Sequence, residues 1–162
     1  LALIQRQSDD PQAVAGLARR QERELRNWLY GQPTEPSSLR RALEEAGAHV
    51  EDEHGLPVEV VCVGDAPLSE DLAALVQAAR EAMTNAAKHS GAPGVDVYAE
   101  VEQDHASVFV RDRGCGFELS QVGHDRLGVR GSIIGRMERH GGRATIRSAS
   151  GEGTEVRLEM GI

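Results

Sequence analysis

The stretch from Ser69 to Ser90 constrains this chain more than any other. Stepping about 100° per residue along a helix places Leu72, Leu75, Val76, Ala79, Met83, Ala86 and Ala87 on one side. Glu81, Thr84, Asn85, Lys88 and His89 fall on the other. The apolar side has to be buried against a sheet or other helices. The polar side gathers a carboxylate, an amide, an ammonium and an imidazole, with a mediocre helix former, Asn85, at its middle. It is either the solvated face of a surface helix or the wall of a binding site, and the helix alone leaves both readings open.

The rest of the chain indicates what covers the apolar face. With 162 residues and a mass of 17.5 kDa, the chain allows one compact domain and a short appendage. Residues 1–7 form a short apolar piece, which Asp9, Asp10 and Pro11 break from a predicted amphipathic helix over Gln12–Tyr30. Together they suggest a helical hairpin too small to form its own core. Gly31 and Pro33 to Pro36 read as a linker, and Ser37 or Ser38 is placed to cap a second helix through Leu39, Leu43, Ala46 and Val50. Val58 to Val63 then reads as a strand. Gly94–Glu102 and Ala106–Arg111 form an antiparallel pair, a helix follows around Val129–Arg139, and Arg143–Ser148 and Glu155–Met160 are the last strands. This order predicts an α/β sandwich with a mixed, mostly antiparallel sheet covered by helices. A doubly wound parallel sheet fits it poorly.

Charge narrows the function. Eighteen basic and 26 acidic residues give a net −8, and no basic stripe is present to hold a nucleic-acid backbone. The acidity concentrates in residues 32–81, and the single lysine is Lys88 among 17 arginines. No apolar run approaches a membrane span of about 20 residues. The N-terminus lacks the features of a signal peptide. Cys62 and Cys115 match neither a metal spacing nor a redox pair, so a reducing cytoplasmic setting is expected.

Three further motifs accompany the helix. Asp112-Arg113-Gly114-Cys115-Gly116 follows a strand. Its carboxylate and alternating glycines suit close approach of a planar amino-bearing ring, or an ordinary turn. Leu127-Gly128-Val129-Arg130-Gly131 is read as a helix start, either an anion site built from backbone N–H groups or a plain cap. Ser150-Gly151-Glu152-Gly153-Thr154 reads as a hairpin that would lay Thr154 beside Asp112 if their strands are neighbours.

In this order and spacing, the four motifs together resemble the ATP-binding domain shared by gyrases, Hsp90-type chaperones, sensor histidine kinases and MutL-type repair proteins, a Bergerat-type fold. Glu81 to Ser90 is similar to the N box of sensor histidine kinases, in the subgroup that phosphorylates LuxR-type response regulators. Arg23 to Tyr30 resembles the end of that subgroup's dimerisation hairpin. The resemblance implies that Asn85 coordinates Mg²⁺ bridging the ATP phosphates and that Lys88 and His89 contact those phosphates. It further implies that Asp112 accepts from the adenine amino group, that Gly114 and Gly116 allow that approach, and that Thr154 supports the adenine. Gly128 and Gly131 would begin a lid helix, although Arg126 stands where the family's lid often has a glycine. Glu81 holds the position at which ATP-hydrolysing relatives keep a general base, and is a candidate for orienting metal or water.

None of the six histidines lies at the start of the hairpin with an acidic neighbour. Leu1 to Gln7 resembles the residues just after the phosphorylated histidine, so the chain is expected to be a catalytic fragment beginning downstream of it. The resemblance implies residues 1–31 as the remainder of a dimerisation hairpin and 32–162 as the ATP-binding domain of a sensor histidine kinase. A homodimer is implied for the full protein, with a LuxR-type response regulator as partner. A cytoplasmic domain of a membrane-anchored sensor is expected, itself making no contact with membrane or nucleic acid. The rival readings are an anti-sigma-factor-type serine kinase and a nucleotide-free interaction module.

Overall fold

The computed structural model describes residues 11–30, 37–89, 91–116 and 124–162; the apolar piece at 1–7 and the 31–36 linker lie outside them. Helix α1 spans Pro11–Tyr30, beginning on proline, whose missing N–H is no loss in a first turn. Helix α2 spans Leu39–His54, and the Ser38 side chain caps it by accepting from the Arg41 N–H. Strand β1 is Val58–Val63 and helix α3 is Glu70–His89. Ser69 Oγ accepts from the Leu72 N–H at 3.1 Å, and Glu70, Asp71, Lys88 and His89 place acid at the N-terminal end of α3 and base at its C-terminal end, as the helix dipole favours. Strands β2 (Val95–Val101) and β3 (His105–Asp112) form the expected hairpin. Helix α4 (His124–Arg139) and strands β4 (Arg143–Ala149) and β5 (Gly153–Gly161) complete the order.

The sheet runs β1-β2-β3-β5-β4. β1 and β2, which α3 connects, pair in parallel, and the other neighbours are antiparallel. The mixed, mostly antiparallel sandwich is as expected from the sequence. Alternation along the strands decides which face is covered. Val95, Val97 and Ala99, Ala106, Val108 and Val110, and Val156, Leu158 and Met160 are buried with Leu39, Leu43, Leu72, Leu75, Met83, Ile133 and Met137 from the helices. On the opposite face Val61, Val63 and Tyr98 stay exposed. There Tyr98 lies 6.2 Å from Phe109, and the Arg157 guanidinium sits 5.4 Å over the Phe109 ring.

Helix α3 is buried further round than its periodicity predicts. Ala74, Ala78 and Ala82 are buried as well as the expected positions other than Ala87, which is partly buried, because α4 packs along that side. Helix α1 touches the domain through charge: Arg19 and Arg23 donate to Glu51 at 2.8 and 2.7 Å, and Arg23 also pairs with Asp52. Its apolar residues Val14, Leu17, Leu25, Trp28 and Leu29 are exposed, Trp28 at 80%.

Candidate functional site

Asp112 ends β3 at an inward-facing position, 5% exposed. The register pairs it with Thr154, the neighbour relation that the sequence left conditional. Its carboxylate accepts from the Gly114 N–H at 2.9 Å and from the Thr154 backbone. Burial pushes its carboxyl above the ordinary aspartate range, and those two N–H groups only partly offset the shift. The Thr154 hydroxyl lies 2.9 Å from Ser148 Oγ, which donates to the Gly153 carbonyl. Ser148 was not singled out from the sequence; it faces the site because β4 pairs with β5, placing it opposite Thr154.

Two glycines around Asp112 are dictated by backbone packing. A Cβ on Gly116 would stand 2.1 Å from the Ala149 carbonyl oxygen, and one on Gly153 would stand 2.2 Å from that of Asp112, both at positive φ. The Gly151 N–H also donates to the Cys115 carbonyl. What Gly116 visibly admits is therefore the β4–β5 turn, and Gly153, named from the sequence only as part of a hairpin, is needed for the same contact. A cavity of about 530 Å³ opens at these strand ends, with Asp112, Ser148 and Thr154 in its wall.

A second cleft, of about 390 Å³, lies along α3 and includes Glu81, Asn85, Lys88, His89 and, from α4, Arg136. The Asn85 Oδ1 atom is buried with no hydrogen-bond partner among the described residues, an unusual condition for a polar atom. Lys88 and His89 are exposed on the last turn. Cys115 Sγ lies 3.8 Å from the His89 carbonyl, so the Asp112–Gly116 loop meets the end of α3.

The polar face of α3 is not simply solvated. Ser132 Oγ lies 3.0 and 3.3 Å from the two Glu81 oxygens, and Arg136 Nη1 donates to Oε2 at 3.0 Å. Ser132 and Arg136 are four apart on α4, a spacing that puts them on one helix face, but the sequence does not say what that face meets. One expectation needs correction. Helix α4 begins at His124, so Gly128 and Gly131 lie inside it and do not form its start. A glycine inside a helix costs about 1 kcal/mol and does not end it, while Ile133 and Met137 fasten α4 to the core. A Cβ on Gly131 would meet nothing within 4 Å.

The buried acceptor at the end of β3 is glycine-locked to the turn of its neighbour, and its loop meets the helix whose cleft holds an orphaned amide oxygen. Residues 70–161 match the family described as histidine kinase-, DNA gyrase B- and HSP90-like ATPase. The chain belongs to this family. It resembles a sensor protein and a histidine-protein kinase/phosphatase in sequence. It is 34% identical over 140 residues to the nitrate/nitrite sensor protein NarX of Escherichia coli K12, a match covering 84% of this chain and 23% of that protein. It is 32% identical over 90 residues to the signal transduction histidine-protein kinase/phosphatase DegS of Bacillus subtilis, covering 54% of this chain and again 23% of the relative. The chain thus spans about a quarter of the length of these relatives. Among solved structures, the histidine kinase domain of the Erythrobacter litoralis EL346 blue-light activated kinase superposes with a TM-score of 0.62 at 19% identity, over 79% of this chain and 69% of that one. The ATP-binding domain of PrrB from Mycobacterium tuberculosis gives 0.57 at 19% identity, over 76% and 93%. These likenesses bear on the fold. No helix among the described residues is long and apolar enough to cross a membrane.

Proposed function

We propose that residues 32–162 bind ATP with Mg²⁺ and, in the whole protein, serve transfer of the γ-phosphoryl group to a histidine and thence to a response regulator of LuxR type. Residues 1–31 are, on this reading, the remainder of a dimerisation hairpin, which the uncovered apolar side chains of α1 support. The observation that carries the proposal is the orphaned Asn85 Oδ1 in a cleft with Lys88 and His89. A buried carbonyl oxygen without a donor is costly, and a cation or a hydrated cation is one kind of group that satisfies it.

The donor set fits magnesium held largely through a nucleotide. Among the described residues no group of three or more His, Cys, Asp or Glu stands together as a metal cage, and Mg²⁺ favours one or two protein oxygens supplemented by phosphates and water. Asn85 would hold the ion, which neutralises phosphate charge when bound. Lys88 and His89 would meet the phosphates, and Asp112 would accept from the adenine amino group, with Gly114 donating to the carboxylate and Thr154 steadying the pocket wall. Catalysis is then mostly positioning and charge neutralisation. A negatively charged chain can bind a polyanion this way because the cations are local.

Calorimetry with ATP, in the presence and absence of Mg²⁺, tests the reading. Asn85→Ala is expected to lower affinity about 10-fold with Mg²⁺ and to leave metal-free binding nearly unchanged, in line with loss of one charged contact. Equal affinities for the variant and the wild type in Mg²⁺ would remove Asn85 from the metal site.

A further inference from the structure

Among the described residues lining the α3 cleft, Glu81 is the only carboxylate. A carboxylate beside a nucleotide's terminal phosphate endangers phosphoryl transfer. If it takes a proton from a water molecule, the water oxygen can bond to the γ-phosphorus as the bond to the β,γ-bridging oxygen breaks, releasing ADP and inorganic phosphate. For that, the carboxylate must present an available oxygen to the water at about 2.6–3.2 Å. Here each carboxylate oxygen already accepts a bond that turns it toward α4. Arg136 Nη1 donates to Oε2 at 3.0 Å, and Ser132 Oγ is 3.0 Å from Oε1. Taking up a proton would forfeit the charge-assisted bond to Arg136.

The pair is a poor candidate for a purely structural fastening. Both side chains are about one-third exposed, 31% and 32%, and pairs this accessible contribute little to stability. Ile133 and Met137 already bury the inner face of α4, and His140 Nδ1 meets Asp71 at 2.9 Å just beyond its end. We propose that Arg136, assisted by Ser132, is a positioning residue that holds the Glu81 carboxylate against α4 rather than toward a water at the terminal phosphate, so that the cleft favours an acceptor side chain over hydrolysis. The proposal rests on the nucleotide-binding reading above.

The test uses the 162-residue chain and its variants Arg136→Ala, Ser132→Ala, Glu81→Gln and Glu81→Gln/Arg136→Ala. Mg·ATP affinity, phosphate release and amide hydrogen exchange of α4 are measured on each. Arg136→Ala is expected to raise phosphate release about 10-fold or more, equivalent to about 1.4 kcal/mol in barrier, while α4 keeps its exchange protection. Ser132→Ala should give a smaller rise, and the double variant should return to the wild-type rate. Unchanged or slower release by Arg136→Ala that still binds Mg·ATP overturns the proposal, as does a rise that survives in the double variant. Loss of α4 protection in Arg136→Ala also overturns it, because the pair would then be a fastening. Failure of the wild-type chain to bind Mg·ATP instead overturns the nucleotide reading, and the proposal with it.

Discussion

Glu51 and Asp112 are both buried carboxylates, 6% and 5% exposed, yet their surroundings are opposite in kind. Glu51 sits in α2 and accepts from two guanidiniums, Arg19 and Arg23, and from the Val58 N–H at 3.2 Å. Burial raises its carboxyl, but these partners outweigh burial and hold it below the ordinary glutamate range. Among the described residues Asp112 has only backbone N–H partners, and burial prevails. A buried charge with paired cations is a finished structural element. One with N–H groups alone, at a strand end facing a cavity, retains acceptor capacity for a ligand, and perturbed groups of that kind concentrate at functional sites.

Three experiments break or sharpen this contrast. The largest effect is expected for Asp112→Ala, which should weaken adenine-nucleotide binding at least about 100-fold, as when a site built to hydrogen-bond its ligand loses that bond. Its stability should stay within about 1 kcal/mol of wild type, because the lost charge was not balanced by a cation. Calorimetry and urea unfolding read the two quantities; a large loss of stability with intact affinity would make Asp112 the structural carboxylate. Glu51→Ala should do the reverse. A loss of about 2 kcal/mol in unfolding free energy is expected, lessened because Arg19 and Arg23 are partly exposed and can rehydrate, with nucleotide affinity unchanged.

The smallest effect is the pH dependence, and its sign differs between the two groups. The folded-state value of Glu51 is depressed, so its stabilisation is present above the ordinary glutamate range and fades as pH falls through the lower folded value. That of Asp112 is raised, so its stability term is present below the ordinary aspartate range and is lost as pH rises through the higher folded value. Melting profiles from about pH 3 to 7 should therefore show Glu51→Gln closing on wild type at low pH. Asp112→Asn should gain on wild type as pH rises. Profiles parallel to wild type for both variants would erase the distinction.

Much of the architecture was legible because it is local. The α3 face containing Asn85, Lys88 and His89 follows from helical spacing, and the alternation of Val95, Val97 and Ala99 shows which strand face is buried. The start of α4 was misread because Gly128 and Gly131 look like punctuation, whereas the packing of Ile133 and Met137 holds a helix through the second of them and from before the first. Gly116 was assigned to ligand approach, yet the nearest demand on it is the Ala149 carbonyl, more than 30 residues away along the chain. The polar side of α3 was left between solvent and site, and one end of it proved to be covered by α4.

The sequence by itself determined which segments are helix and strand, which faces are apolar, and which residue types stand at the strand ends and on α3. Periodicity and capping chemistry depend on near neighbours, so they can be read one segment at a time. Only the tertiary structure decided the partners. Glu51 meets arginines 32 and 28 residues away, and Glu81 meets Ser132 and Arg136 at separations of 51 and 55. A carboxylate looks alike in sequence whether it is neutralised, engaged or left open to a ligand. Those states are set by the distance to donors that chain folding alone brings near.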